Sequence, residues 1–185
     1  MIHLICGPIG AGKTTYAIKL AKEKSAIRFS EDEWLAKLFV PDAPEGLLSQ
    51  PMQVVGEWAA EKYLRCRGQI WLTCQQLIAN NISIVLDGAA ANKAQRDIIR
   101  KKAQENNIGF QLHYIHAAKD VRHERVFGRN KAQGETYSLE VTPAMFEHTE
   151  SFFEAPVDAI QPGSHDQHHR QLVNRDRKKR RALLW

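Results

Sequence analysis

Residues 1–15 read MIHLICGPIGAGKTT. An apolar run, Ile2 to Cys6, leads into a glycine-rich loop, and the start of a helix follows. Gly7, Gly12, Lys13 and Thr14 fit the spacing G-x-x-x-x-G-K-[ST], with Pro8, Ile9, Gly10 and Ala11 between them and Thr15 after. The spacing has a physical cause. Glycines let successive backbone N–H groups turn inward and cradle phosphate oxygens. The following helix aims its positive end at the same anion. Lys13 adds a mobile charge for β- and γ-phosphates, and Thr14 offers a hydroxyl to Mg²⁺. Glycine-rich turns are common, but here a strand enters and an amphipathic helix leaves, which is the context the pattern requires.

The chain has 185 residues, 43% hydrophobic and 25% charged, the profile of one globular domain with room for a tail. No apolar run approaches the roughly 18–20 residues that span a bilayer, so no membrane is expected as a partner. The strand opens the chain without a charged lead, so no signal peptide is expected either. Three cysteines, Cys6, Cys66 and Cys74, lack metal-type spacing and suit a reducing cytoplasm. The formal charge is +5. From Gln161 to Trp185 seven basic residues stand against two acids, whereas residues 1–160 carry 19 of each sign. The basic character therefore belongs to the tail. A nucleic-acid partner would be reached only through it, and 161–185 is expected to be disordered.

Apolar periodicity and breakers give an alternation of strands and helices. Helices are expected at 14–24, from the Ser30 cap to about Phe39, at 57–79, from Asn92 or Lys93 to about Glu105, from an Asp120 cap to about Arg129, and from the Thr142 cap to Phe153. Gly68 marks a bend in the long one. In the fourth, Ile98, Ile99 and Ala103 are expected to face inward. Strands are expected at 26–29, 82–86 and 110–116 besides the first, with a short fifth at 157–160. Residues 40–52 read as a loop. This pattern predicts an α/β three-layer sandwich over residues 1–160, with an open parallel sheet of four to five strands and helices on both faces.

Ligands of such sheets sit at the C-terminal strand ends. Asp32 follows the second strand and suits a base or holder for an acceptor hydroxyl, or a first-turn acid facing the helix dipole. Asp87 closes an apolar strand and suits the Mg²⁺ side, or a turn before Gly88. Arg122, Arg125 and Arg129 share a helix side, either as a lid over a transferring phosphoryl group or as a solvated face. Arg129 and Arg125 are the stronger candidates. Arg96, one turn into the helix after Asp87, suits an acceptor, a γ-phosphate or a plain surface position, and Trp34 begins a region of aromatic and acidic residues suited to a substrate. His113 and His116 read as packed strand residues, and the tail histidines as adventitious metal binders.

GPIGAGKTT, FSEDEW, ISIVLDG, the R-x-x-x-RN segment and EVTPAMFEHTESFFEAP together resemble the AAA_33 family of small P-loop kinases, relatives of zeta toxins, chloramphenicol phosphotransferase, gluconate kinase and polynucleotide kinase. The likeness covers about residues 1–158. It implies the kinase strand order 2-3-1-4-5, ATP with Mg²⁺ at Lys13 and Thr14, Asp32 as the acceptor-activating acid, Asp87 as the acid closing the third strand, and Arg129 as the lid arginine. The acceptor then expected is an unidentified small molecule, since Glu31, Glu33, Trp34 and Leu35 surround Asp32 where polynucleotide kinases carry basic residues. A 5′-hydroxyl kinase of nucleic acid and a nucleotide switch without an acceptor remain the alternatives.

Overall fold

The computed structural model describes residues 1–88, 90–134 and 136–157. Four strands form one sheet: β1 (Ile2–Cys6), β2 (Ile27–Ser30), β3 (Ile84–Asp87) and β4 (Phe110–Tyr114), in the order β2-β3-β1-β4. All pairings are parallel. The expected order 2-3-1-4 is therefore present. The fifth strand and the tail fall outside the described residues, except Val157, which lies in a bend.

Every residue of β1 is buried, because helices cover both faces of the sheet. Alternation along the strands divides the core. Ile2, Leu4, Cys6, Ile84, Leu86 and Leu112 pack with Cys66, Ile70 and Cys74 of α3 (Met52–Ala79) and Ala103 of α4 (Lys93–Glu105). Ile5 and Val85 turn to the other face and pack with Ala17 and Leu20 of α1 (Lys13–Glu23). A third cluster, Val126, Val141 and Phe146, joins α5 (Lys119–Ala132) to α6 (Pro143–Phe152), with Ile9 of the glycine loop against it.

The caps fall where side-chain chemistry places them. Ser30 accepts from the Glu33 N–H at the start of α2 (Glu31–Leu38), Asn92 from Gln95 at α4, and Thr142 from Met145 at α6. Four expectations need correction. The segment 40–52 holds a 3₁₀ turn at Leu47–Ser49, and α3 begins at Met52, directly after Pro51, whose lack of an N–H costs nothing at a helix start. Gly68 lies within the uninterrupted span of α3. In α4, Ile98 is 56% exposed, whereas Ile99 and Ala103 pack inward as expected, and Arg96 is buried with them. Ala118, not Asp120, stands at the cap of α5, with Asp120 in its first turn.

Candidate functional site

Register puts the site together. Asp87 lies opposite Ser30 of β2 and Ile5 of β1, so the three strands end in one row. The segments that follow open at the same edge and carry Gly7–Gly12, Glu31–Asp32 at the start of α2, and Gly88. The glycine loop is held tightly on its outer side. A Cβ at Gly7 (φ +150°) would lie 2.0 Å from the Ile115 carbonyl oxygen, and one at Gly10 (φ +75°) 2.6 Å from that of Arg122. Gly12 (φ +98°) caps α1, and a Cβ there would meet nothing within 4 Å. The inner side is thus open, and the helix N-terminus faces it with no side-chain cap of its own.

Lys13 folds back over the loop, its Nζ donating to the Pro8 carbonyl at 3.0 Å. Burial lowers its ammonium from the ordinary range, against the pull of Asp32 and Asp87 and with the push of Arg129. These four charges therefore share one small volume. Burial pushes the Asp87 carboxyl up, against Lys13 and Arg28, and the Thr14 hydroxyl donates to it. Arg28 reaches from β2, donating Nη1 to Asp87 Oδ2 at 3.0 Å and Nη2 to Glu33. The Arg129 Nε is buried with no hydrogen-bond partner. An orphaned guanidinium nitrogen beside Lys13 and a row of loop N–H groups call for an anion with several oxygens, which a polyphosphate supplies. Thr14 and Asp87 offer hard oxygen donors. Among the described residues no cluster of three or more metal-binding side chains occurs. Two protein oxygens completed by water and phosphate suit Mg²⁺.

The Asp32 side of the site is built by α2 and α3. Asp32 is exposed in the first turn of α2, and its Oδ1 accepts from the Tyr63 hydroxyl at 2.6 Å. Burial, then the Asp32 charge, pushes the Tyr63 phenol well above its usual range, so it stays a donor. Glu31 turns inward and accepts from Arg67 Nε at 2.9 Å. Burial raises its carboxyl to about 7 even with that partner. Trp34 is half-buried, with its ring edge toward Phe29 at 6.2 Å, and belongs to the core rim.

The remaining candidates occupy different places. Arg125 is exposed on α5. Arg96 is 4% exposed, and its Nη1 donates to the carbonyls of Ala90, Ala91 and Glu154, so it ties the segment after β3 to the one after α6 and is turned into the fold. Arg122 is buried. It grips Glu150 with both Nη atoms, the Nη2 contact being 2.7 Å, and Nη1 also donates to the Ile9 carbonyl at 3.1 Å. Arg122 thus joins the glycine loop to α6. Asn130 exchanges hydrogen bonds with the Val141 backbone at 2.8 and 3.2 Å, which ties the last turn of α5 to the residue before the Thr142 cap. His113 is buried between Tyr16 and His3, at 2.9 and 3.1 Å. Tyr63, Arg67 and Arg28 lie outside every motif quoted above, and Glu150 lies in the EVTPAMFEHTESFFEAP segment with nothing in its spacing that marks Arg122 as its partner. The one signal for Tyr63 is its helical spacing from Ile70 and Cys74, which puts it on the same side of α3.

A family model described as an AAA domain, AAA_33, matches residues 2–156. No curated protein matches the sequence. Among solved structures, the fold is similar to that of a gluconokinase from Sinorhizobium meliloti 1021, with 14% identity, a TM-score of 0.54, and 88% of this chain and 82% of that one covered. It is also similar to Chaetomium thermophilum Kti12 in complex with ADP-AlF3, with 12% identity, a TM-score of 0.61, and 96% and 98% covered. An unliganded sugar kinase from Janibacter sp. HTCC2649 gives 16% identity, a TM-score of 0.55, and 86% and 82% covered.

Proposed function

The chain belongs to the AAA_33 family, and from that premise we propose that it is an ATP-dependent kinase acting on a hydroxyl of a small molecule. The observation that carries this reading is the meeting of two chemistries at one sheet edge. Lys13, Thr14, Asp87 and the orphaned Arg129 Nε make the phosphate side, and Asp32 stands beside them with no phosphate-binding role of its own. A switch or motor needs the first group, and a transferase needs both.

In the transfer, the acceptor hydroxyl gives its proton to the Asp32 carboxylate while its oxygen bonds to the γ-phosphorus. The bond from that phosphorus to the β–γ bridging oxygen breaks, and ADP leaves. Lys13 and Arg129 stabilise the charge on the moving oxygens. Mg²⁺, held by Thr14 and Asp87, would neutralise the phosphates. Arg125 sits on the same helix as Arg129, one turn earlier and exposed, and would act as a second lid arginine. All three cysteines are buried, which suits thiols in the reducing cytoplasm proposed for the protein.

The test is an ATP-consumption screen over sugars, sugar acids, aminoglycosides, nucleosides, sugar nucleotides and 5′-hydroxyl oligonucleotides, with Lys13→Ala as the blank. Acceptor-dependent ADP formation that Lys13→Ala abolishes and Asp32→Asn lowers by roughly 10²-fold or more supports the reading. Turnover confined to the oligonucleotides gives the 5′-hydroxyl kinase. Slow hydrolysis that no acceptor accelerates gives the nucleotide switch.

A further inference from the structure

We propose that Tyr63 is the positioning residue for the acceptor-side carboxylate, fixing one oxygen of Asp32 so that the other receives the proton. The inference rests on the kinase reading above and adds a residue that no local motif contains. Asp32 lies in the first turn of α2, exposed, where a short carboxylate side chain can swing. The Tyr63 hydroxyl donates to its Oδ1 at 2.6 Å across 31 residues of chain. A tyrosine is a stiff arm with few rotatable bonds, so a hydrogen bond from it restricts direction as well as distance.

The arm is itself braced. Arg67, one helical turn along α3, lies over the Tyr63 ring at 5.6 Å and donates to Glu31 at 2.9 Å. Glu31 is the residue before Asp32, and its side chain is buried beneath the loop at Gly88, where a Cβ would come within 3.2 Å of it. The row Glu31–Arg67–Tyr63–Asp32 therefore starts and ends on α2 and passes through α3. It holds the carboxylate against both helices at once. With Oδ1 engaged, Oδ2 is the oxygen left for the proton of an incoming hydroxyl. Misplacing a reacting group by about 1 Å can cost about a hundredfold in rate, which sets what such a brace is worth.

The test uses the full chain and two acceptors: water, through intrinsic ATP hydrolysis, and whichever compound turns over in the screen. Wild type, Tyr63→Phe, Asp32→Asn and the double variant are compared, with binding of a fluorescent ADP analogue as the check on the fold. Tyr63→Phe keeps the ring and the Arg67 contact and loses only the hydroxyl. The expected result is a fall of roughly ten- to a hundredfold in kcat, KM for ATP within about twofold, and no further fall when Tyr63→Phe is added to Asp32→Asn. A merely structural role gives independent losses that multiply in the double variant. That result, an unchanged kcat, or a parallel loss of ADP affinity would overturn the proposal. If Lys13→Ala and Asp32→Asn both turn over like wild type, the kinase reading itself fails, and the two failures are distinguished.

Discussion

Glu31 is a buried carboxyl between a guanidinium and two further acids, and burial outweighs the attraction. Its carboxyl is raised from 4.5 to about 7, so between those values the folded chain binds a proton that the unfolded chain has released. Stability then falls as pH rises through this window, by on the order of 3 kcal/mol in total. Glu31→Gln removes the titration. Denaturant unfolding at pH 5 and pH 8 is expected to show a smaller drop for the variant than for wild type, and an equal drop would assign the charge cost elsewhere. The residues that made the site legible, Lys13, Thr14, Asp32 and Asp87, owe their positions to strand ends and to a loop of fixed spacing. Arg28, Arg67 and Arg122 do not. Their partners lie 59, 36 and 28 residues away, and one-dimensional spacing carries no trace of such pairings.

At the level of elements, α3 departs furthest from its sequence pattern. It runs through 28 residues, yet buries only Val55, Cys66, Ile70 and Cys74. Gly68 read as a weak point because glycine lowers helix propensity. The packing on either side, at Cys66 and Ile70, holds the turn regardless. A Cβ at Gly68 would meet nothing within 4 Å, and its backbone is not in the left-handed region. Gly68→Ala is therefore expected to stabilise the protein by roughly 0.5–1 kcal/mol, read as a higher thermal midpoint. A fall would mean that the position needs the freedom glycine gives. The caps at Ser30, Asn92 and Thr142 were readable because each is a local hydrogen bond. The start of α3 was not, because prolines at 41, 44 and 51 are equally at home in a loop and before a helix.

Across the whole molecule, charge and chemistry separate. The described domain holds the phosphate loop, Asp32, Asp87 and Arg129, within a stretch of 1–160 that is balanced at 19 charges of each sign. The excess lies in 161–185. Removing that segment is expected to leave ADP affinity and ATP turnover within about twofold of wild type, while any binding to a 5′-hydroxyl oligonucleotide weakens and loses salt dependence. Collapse of turnover would place the segment in the site. The long helix ties Asp32 to this body mechanically. Cys66, Ile70 and Cys74 seat α3 on the sheet, and Tyr63 stands three residues beyond Cys66, about 4.5 Å along the axis. A tilt of about 5° at that seat swings the tyrosine by only about 0.4 Å, within what its bond to Asp32 tolerates. α3 is thus a bracket with a short overhang: its seat is in the core, its free end is at Asp32, and the carboxylate inherits the stiffness of the sheet.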